Sequence, residues 1–549
     1  MATKYIFITG GVTSSIGKGM LAAAMGRLLK SRGLVVAMQK VDSYLNLDPS
    51  QIDPRQYGEV FVTDDGLEAT ADLGNYERFV DVILNQYASV SSGSLHQRVF
   101  ENEKAGVYKG ETIQYIPHVT DEIKKSFKEV GDGISADVTI IEVSGTVGDM
   151  ANNLFMEAIR QMIHDVGKSN VLCVHVSLVP FLNVAKELKT GPTQRSVREL
   201  HRFGIHPDIL IGRVEHILPE AVRKKLSIEC DVPVEAVFEM RNESTDYSIP
   251  LRLHEQGVDD WIVDYFGWQV DKSDLSTWEA LEYRVKHLDK TIKVALVDQY
   301  ANYPKAHLSI IEGLKHAGYV YDAEIVFYYI DSTMLTKENY EKKLSSADCI
   351  LIPSNINEEK LDGKLLAVHY ARENKVPYLG IGTGLQYAVI EFARYVAGIK
   401  QANSEELDSQ TSQAVVIKLP MPDESFGYKG DLRIGSHVVE LTQDTLVSEL
   451  YNEYDVQQEV VEERHRHRFC INNDYRNQLE KAGMIISGVD PEEDIIEVIE
   501  LTNHPFFVGV QFNPGFTSRP YRPHPIFTGF VGATIRNIRQ IERDKKTFS

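Results

Sequence analysis

The stretch KYIFITGGVTSSIGKG, Lys4–Gly19, limits what this chain can fold into more than any other. Tyr5–Thr9 is a short apolar run with β-branched residues and reads as a buried strand. Gly10, Gly11, Gly17 and Gly19 follow, and Met20–Arg32 has the Ala, Leu and Met content of a helix. A strand, a glycine-rich turn and a helix start form an arrangement that holds phosphates. Backbone N–H groups point into the loop, the helix N-terminus adds partial positive charge, and Lys18 would reach the β- and γ-phosphates. The spacing departs from G-x-x-x-x-G-K-[ST]: five residues separate Gly11 from Gly17, and Gly19 stands where a magnesium-binding Ser or Thr is usual. Metal ligands, if a metal is bound, must therefore come largely from elsewhere. A tight strand–helix turn that binds no nucleotide is the alternative.

Apolar runs alternate with helical stretches beyond this loop. Candidate strands are Leu34–Gln39, Val138–Val143, Val171–Ser177 and Asp208–Arg213, with helices such as Phe155–Val166 and Gln194–Phe203 between them. The alternation predicts an α/β fold with a mainly parallel, helix-covered sheet, whose ligands collect at the carboxyl ends of the strands. Near Trp268–Lys290 the pattern turns polar and reads as a charged linker with a short helix. A second α/β region opens at Ile292–Val297 and continues through Glu324–Tyr329, Cys349–Pro353, Tyr378–Gly380 and Val508–Phe512. The expected division is a first domain over residues 1–268, a linker over 269–290 and a second domain over 291–549.

A net charge of −21 over 549 residues argues against a general nucleic-acid or membrane-surface binder. No run of eighteen apolar residues occurs and the N-terminus leads directly into a strand, so neither a membrane span nor a signal peptide is expected, and a cytoplasmic location is. Cys173, Cys230, Cys349 and Cys470 are scattered without CxxC spacing, which supports neither a disulfide framework nor a zinc site.

Glu142 ends an apolar strand, where a carboxylate is costly unless paired or metal-bound. With Asp72 it could supply the magnesium ligands that the glycine-rich loop lacks; two ordinary capping or ion-paired carboxylates are the alternative. Lys189, Thr190 and Gln194 lie in KELKTGPTQRS, a turn leading into a helix, and Arg223, Lys224 and Lys225 form a second basic cluster. Together these cations could bind a polyphosphate, whereas singly they would be solvated surface charges.

The motifs GGVTSSIGKG, QYGEVFVTDDG, DLGNYERF, IQYIPHVTDEIK, GTVGD, EAIRQ, KELKTGPTQRS and ERHRHRF, in order from Lys4 to about Phe530, closely resemble the CTP synthase family. The resemblance implies an amidoligase domain joined to a class I glutamine amidotransferase domain. It implies ATP-dependent phosphorylation of the uracil O4 of UTP, then displacement of phosphate by ammonia, normally released from glutamine in the second domain. It also implies a homotetramer. Matching by motif, Ser15, Ile16, Gly17, Lys18, Gly19, Asp72 and Arg213 would bind ATP, with Lys18 and Lys40 catalytic at the transferred phosphoryl group. Ser14, Gln114, Asp149, Lys189, Thr190, Gln194 and Lys225 would bind the pyrimidine nucleotide, and Asp72 and Glu142 would hold Mg²⁺.

The second domain departs from the family pattern. Where the family has a nucleophilic Cys in G-I-C-x-G-x-Q, LGIGTGLQ carries Gly382, and the His and Glu of Q-F-H-P-E-F are Asn513 and Gly515. PSNIN, Pro353–Asn357, replaces the oxyanion-loop sequence. Glycine offers no nucleophile and asparagine no general base, so glutamine hydrolysis is expected to be lost. Gln386, Glu406 and Arg466 match positions that hold glutamine, which suits residual amino-acid binding or mere packing. In the first domain Tyr57 and Asn75 replace histidines, Gly191 replaces a phosphate-binding Lys, and Ala151 replaces a Glu near the pyrimidine nucleotide. Three readings follow: a ligase using free ammonia or another amine, a non-catalytic partner of an active CTP synthase, and a ligase repurposed for a non-UTP acceptor.

Overall fold

The computed structural model describes residues 3–354, 362–419, 428–453 and 459–547. The chain divides into two units, Met1–Gln51 with Asp72–Lys286, and Ile52–Ala71 with His287–Ser549.

In the first unit β1 (Lys4–Gly11), α1 (Lys18–Ser31), β2 (Val36–Asp42), α2 (Asp72–Val80), β3 (Ser89–Ser91), β4 (Val138–Val143), β5 (Val171–Leu178), α3 (Gly191–Arg202), β6 (Ile209–Arg213) and β7 (Val237–Met240) frame the site. The seven strands are ordered β7-β6-β5-β1-β4-β2-β3 and every pair is parallel. They are buried on both faces, which is why they read as nearly unbroken apolar runs. β2 runs past the predicted Gln39 to Asp42, because Lys40 and Asp42 are buried at the sheet's carboxyl edge rather than turned to solvent. α3 begins at Gly191 rather than Gln194, with Pro192 at its start, where a missing N–H costs nothing. The helix in the charged stretch, α4 (Ser276–Lys286), belongs to the first unit: Trp278 is fully buried, with ring centroids 5.1 Å from Phe79 and 5.7 Å from Tyr247.

The second unit holds β8 (Lys290–Asp298), α5 (Leu308–Val320), β9 (Ala323–Asp331), β10 (Cys349–Ile352), β11 (Tyr378–Ile381), α6 (Thr383–Tyr395), β12 (Leu432–Leu441), β13 (Val460–His467), β14 (Ile485–Asp490), β15 (Ile495–Glu500) and β16 (Phe507–Val510). Its ten-stranded sheet runs β9-β8-β10-β11-β16-β15-β14-β12, ends on the short strand Tyr428–Lys429, and has β13 paired to β12. Alternate β8 residues enter two separate cores, Val294 and Leu296 on one face, Ala295 and Val297 on the other. The unit also contains the hairpin Val60–Val62 and Glu68–Thr70. All four cysteines are free and buried. No helix among the described residues is long and apolar enough to cross a membrane.

Beneath the glycine-rich loop, His175 is fully buried between the Thr9 hydroxyl (2.9 Å) and the Ser196 hydroxyl (2.7 Å). A Cβ at Gly11 would overlap Ser196, so this glycine is what lets α3 approach β1. Burial, reinforced by Lys18 and His201, pushes the His175 imidazole down to about 3. Between the unfolded value near 6.5 and about 3 the unfolded chain binds a proton that the folded chain does not, so stability is lost as pH falls through that window. The expected slope is up to about 1.4 kcal/mol per pH unit, the contribution of one proton. His175→Gln is expected to flatten it; urea unfolding at pH 6 and pH 4 measures both, and an unchanged slope in the variant would rule out His175 as its source.

Candidate active site and the remodelled second unit

The loop after β1 turns through three left-handed residues, Val12 (φ 76°), Ser15 (φ 58°) and Gly17 (φ 90°). Val12 is β-branched and pays strain there, as residues in ligand-binding loops do. Ser14 and Ser15 are exposed and Ile16 is buried. No side chain caps α1, which leaves its first N–H groups facing the loop. Lys18 is buried and donates to the Gly145 carbonyl. Burial pulls its ammonium down to about 8, with Lys40 adding repulsion and Glu142, Asp72 and Asp42 acting in opposition.

Lys40 stands opposite Glu142 in the β2–β4 register, with its Nζ 2.6 Å from Glu142 Oε1 and 2.8 Å from Asp72 Oδ2. Burial opposes its charge, but Asp72, Glu142 and Asp42 more than offset that and hold it well above the ordinary lysine range. The Tyr76 hydroxyl donates to Glu142 Oε2. A Cβ at Gly19 would lie 2.6 Å from Asp72 Oδ1 and 3.2 Å from Glu142 Oε2. The residue that breaks the loop pattern is therefore the one that admits both carboxylates. Two hard oxygen donors facing one small space suit Mg²⁺. Arg213 closes this end of the site: its Nη1 would lie 3.7 Å from a Gly17 Cβ, and it donates to the Arg241 carbonyl (3.3 Å) and to Asn242.

The sequence reading missed Asp42. It is buried at the end of β2, on the same strand face as Lys40, and its Oδ2 has no hydrogen-bond partner among the described residues. Burial pushes its carboxyl up to about 6, with Asp72 and Glu142 adding to the rise and Lys40 opposing it. The available signal was a second polar residue two positions after Lys40.

At the acceptor end, half-buried Lys189 pairs with Glu187, which also feels the charge of Lys225. Thr190 precedes α3 and accepts from Gln194 Nε2 at 3.0 Å. The basic cluster expected at Arg223–Lys225 is not one: Arg223 donates to the Val237 carbonyl at 2.8 Å and Lys224 pairs with Glu220 one turn away at 2.5 Å, leaving Lys225 beside Lys189 and Glu187. Helical periodicity points three consecutive residues in different directions. Gln114 and Asp149 lie exposed on loops. A Cβ at Gly191 would meet nothing within 4 Å.

In the second unit Gly382 sits at the β11–α6 turn with φ 56° and ψ −111°, a sharp elbow without a side chain. A Cβ there would be 2.5 Å from Ser354 Oγ and 2.7 Å from Ser354 Cβ, so Ser354 fills the space of a side chain at 382. Asn513 Oδ1 accepts the Gly515 N–H at 3.0 Å. A Cβ at Gly515 would be 2.7 Å from the Ser309 carbonyl carbon and 2.8 Å from the Ile310 nitrogen, because the start of α5 packs directly on it. Asn355–Asn357 of the expected oxyanion-loop replacement lie outside the described residues.

Gln386, Glu406 and Arg466 have separate partners. Gln386 is buried and reaches the Phe469 carbonyl at 3.3 Å, and Glu406 is exposed with its N–H on Ser404 Oγ at 3.2 Å. Arg466 makes a forked pair with Glu68, at 2.9 Å and 2.8 Å. Among the described residues His465, His467 and Glu497 form one cluster of metal-capable side chains. Arg433 already supplies positive charge there, bonding Glu497 and lying 3.4 Å from His465 Nδ1, so a hydrogen-bonded ion network accounts for it.

Residues 4–268 match the family described as CTP synthase N-terminus, and residues 304–533 match glutamine amidotransferase class-I. A CTP synthase of Geobacillus kaustophilus is 45% identical over 534 residues, covering 97% of this chain and 100% of that protein. One from Carboxydothermus hydrogenoformans is 47% identical over 534 residues, covering 97% and 99%. The solved glutaminase domain of Trypanosoma brucei CTPS with bound acivicin is 30% identical, covering 45% of this chain and 94% of that one at a TM-score of 0.41. With two family matches in chain order and near-complete coverage of its relatives, the chain belongs to the CTP synthase family.

Proposed function

We propose that this chain is an ATP-dependent C–N ligase that phosphorylates O4 of UTP or a related pyrimidine nucleotide and replaces the phosphate with free ammonia or another amine, without a glutaminase of its own. The observation that carries this reading is a contrast: Lys18, Lys40, Asp72 and Glu142 converge in the first unit, while Ser354 and the start of α5 occupy the space beside Gly382 and Gly515 in the second. In this reading the ligase chemistry belongs to the first unit, Met1–Gln51 with Asp72–Lys286, and the second unit is an inactive amidotransferase-like domain. The chain works as a cytoplasmic homotetramer.

The loop N–H groups and Lys18 hold the ATP phosphates, and Arg213 the adenine end. Lys40 sets a fixed positive charge where the transferred phosphoryl group develops negative charge. Mg²⁺ held by Asp72 and Glu142 would neutralise phosphate oxygens when bound. Ser14, Gln114, Asp149, Lys189, Thr190, Gln194 and Lys225 position the pyrimidine nucleotide. A pure regulator has no need of the Lys40 triad. The repurposed-ligase reading is favoured by the open space at Gly191, where a triphosphate site would be expected to keep a cation.

With ATP and UTP, CTP is expected from ammonium chloride and not from glutamine; CTP from glutamine would overturn the lost-glutaminase reading, and no product with any pyrimidine nucleotide would overturn the ligase. Lys18→Ala is expected to lower kcat/KM for ATP by about 10- to 100-fold, the scale of one charged hydrogen bond. Because the Lys18 ammonium is present below about 8 and lost above it, the KM for ATP is expected to rise as pH passes above 8; initial rates from pH 7 to 9.5 test this. Bound phosphate moves the onset upward, never downward. Finally, the triple change Gly382→Cys, Asn513→His, Gly515→Glu is expected to leave glutamine hydrolysis at background and to lower Tm, since position 515 has no room for a Cβ. Recovered hydrolysis would show that the site is not closed.

A further inference from the structure

We propose, resting on the reading of Asp72 and Glu142 as a cation site, that Tyr76 is a positioning residue for Glu142. Its hydroxyl fixes the oxygen of that carboxylate that faces Gly19, and so sets the affinity of the first unit for a divalent cation. Every group involved lies in that one unit. Lys40 divides the oxygens of the two acids, taking Asp72 Oδ2 at 2.8 Å and Glu142 Oε1 at 2.6 Å. The other oxygen of each, Asp72 Oδ1 and Glu142 Oε2, lies toward Gly19, 2.6 Å and 3.2 Å from the point where a Cβ would stand. Two hard oxygens thus border the space that the missing side chain leaves open.

Glu142 needs a second anchor. The last torsion of a glutamate is broad, so the bond from Lys40 to Oε1 alone leaves the carboxylate plane free to swing. Tyr76 removes that freedom by donating to Oε2. Tyr76 is fully buried, at a place where phenylalanine would fill the core with no polar atom to satisfy. Its hydroxyl is a neutral donor: it uses one lone pair of Oε2 and leaves the carboxylate's charge for a cation, which a second lysine or arginine would cancel. Tyr76 also follows Asp72 by one turn of α2, so both sit on the helix face turned toward Lys40 and Glu142. The far end of α2 is drawn close to α1 by another glycine. A Cβ at Gly26 would lie 2.8 Å from Val80 Cγ2 and 3.0 Å from Met38 Sδ. Gly19 and Gly26 stand about two turns apart on α1 and so share its face toward α2. One helix, held at a distance that this small face allows, delivers both the Asp72 carboxylate and the support of Glu142.

The test uses the full-length chain with Mn²⁺ and a non-hydrolysable ATP analogue. Electron paramagnetic resonance follows the bound ion against the analogue alone, and the analogue's own affinity is measured in EDTA. Wild type is expected to hold Mn²⁺ more tightly than the analogue does by itself, and Glu142→Gln to lose that gain. Tyr76→Phe keeps the ring and removes the hydroxyl. It is expected to weaken Mn²⁺ binding about tenfold, the effect typical of losing an outer-shell support, with the affinity in EDTA unchanged. Should Tyr76→Phe not fold, 3-fluorotyrosine placed at position 76 alone keeps the hydroxyl, and its fluorine resonance is expected to shift when Mg²⁺ joins the analogue. A folded Tyr76→Phe chain with unchanged Mn²⁺ affinity, an equal loss of analogue affinity in EDTA, or a fluorine resonance that Mg²⁺ does not move would each overturn the proposal and leave the ligase reading intact. Wild type that adds nothing to the analogue's own hold on Mn²⁺ would overturn the cation-site reading and this inference with it.

Discussion

The candidate site of the first unit is organised around one buried charge. Lys40 sits between Asp72 and Glu142 at the carboxyl edge of a parallel sheet, where ions lose several kcal/mol of hydration each unless they meet one another in good geometry. Three separate elements must deliver them: β2 and β4 through their register, α2 through its first residue. Gly19 completes the arrangement by lacking the side chain that would strike Asp72 and Glu142. Removing Lys40 leaves the buried Glu142 without its cation, and removing Glu142 leaves Lys40 with only the half-buried Asp72 of the two carboxylates it now pairs with.

The second unit shows a different arrangement. Its elbow at Gly382 retains a backbone shape whose usual purpose is to present a nucleophile, yet no side chain is presented. Ser354 and the first residues of α5 occupy the space that side chains at 382 and 515 would take. Packing in a protein interior leaves few gaps, so neighbouring groups fill the space beside these two glycines.

The alternation of β and α elements and the glycine-rich turn after the first strand were legible because each is written in local pattern: apolar runs and glycines at a turn. Glu142 stood out as a carboxylate ending an apolar strand, with Asp72 offered beside it, whereas Lys40 was found only through a family motif, since the meeting of the three is a matter of tertiary register. Asp42 escaped because a carboxylate after a strand looks like an ordinary turn residue until its burial is known. The run Arg223–Lys225 misled because adjacency in sequence is not adjacency on a helix. No pattern in the sequence signalled that residues 52–71 fold with the second half, because the ion pairs that hold them join positions some 400 apart.

That discontinuity bears on how such a chain can change over generations. A protein whose two halves occupy two uninterrupted stretches can lose one through a single premature stop or a gene split. Here a stop after Lys286 would leave Ile52–Ala71 without the scaffold they fold against, with Glu59 and Glu68 stripped of Ser309, Arg466 and Lys429. The second half is thereby protected from deletion by the route the backbone takes, whatever it catalyses.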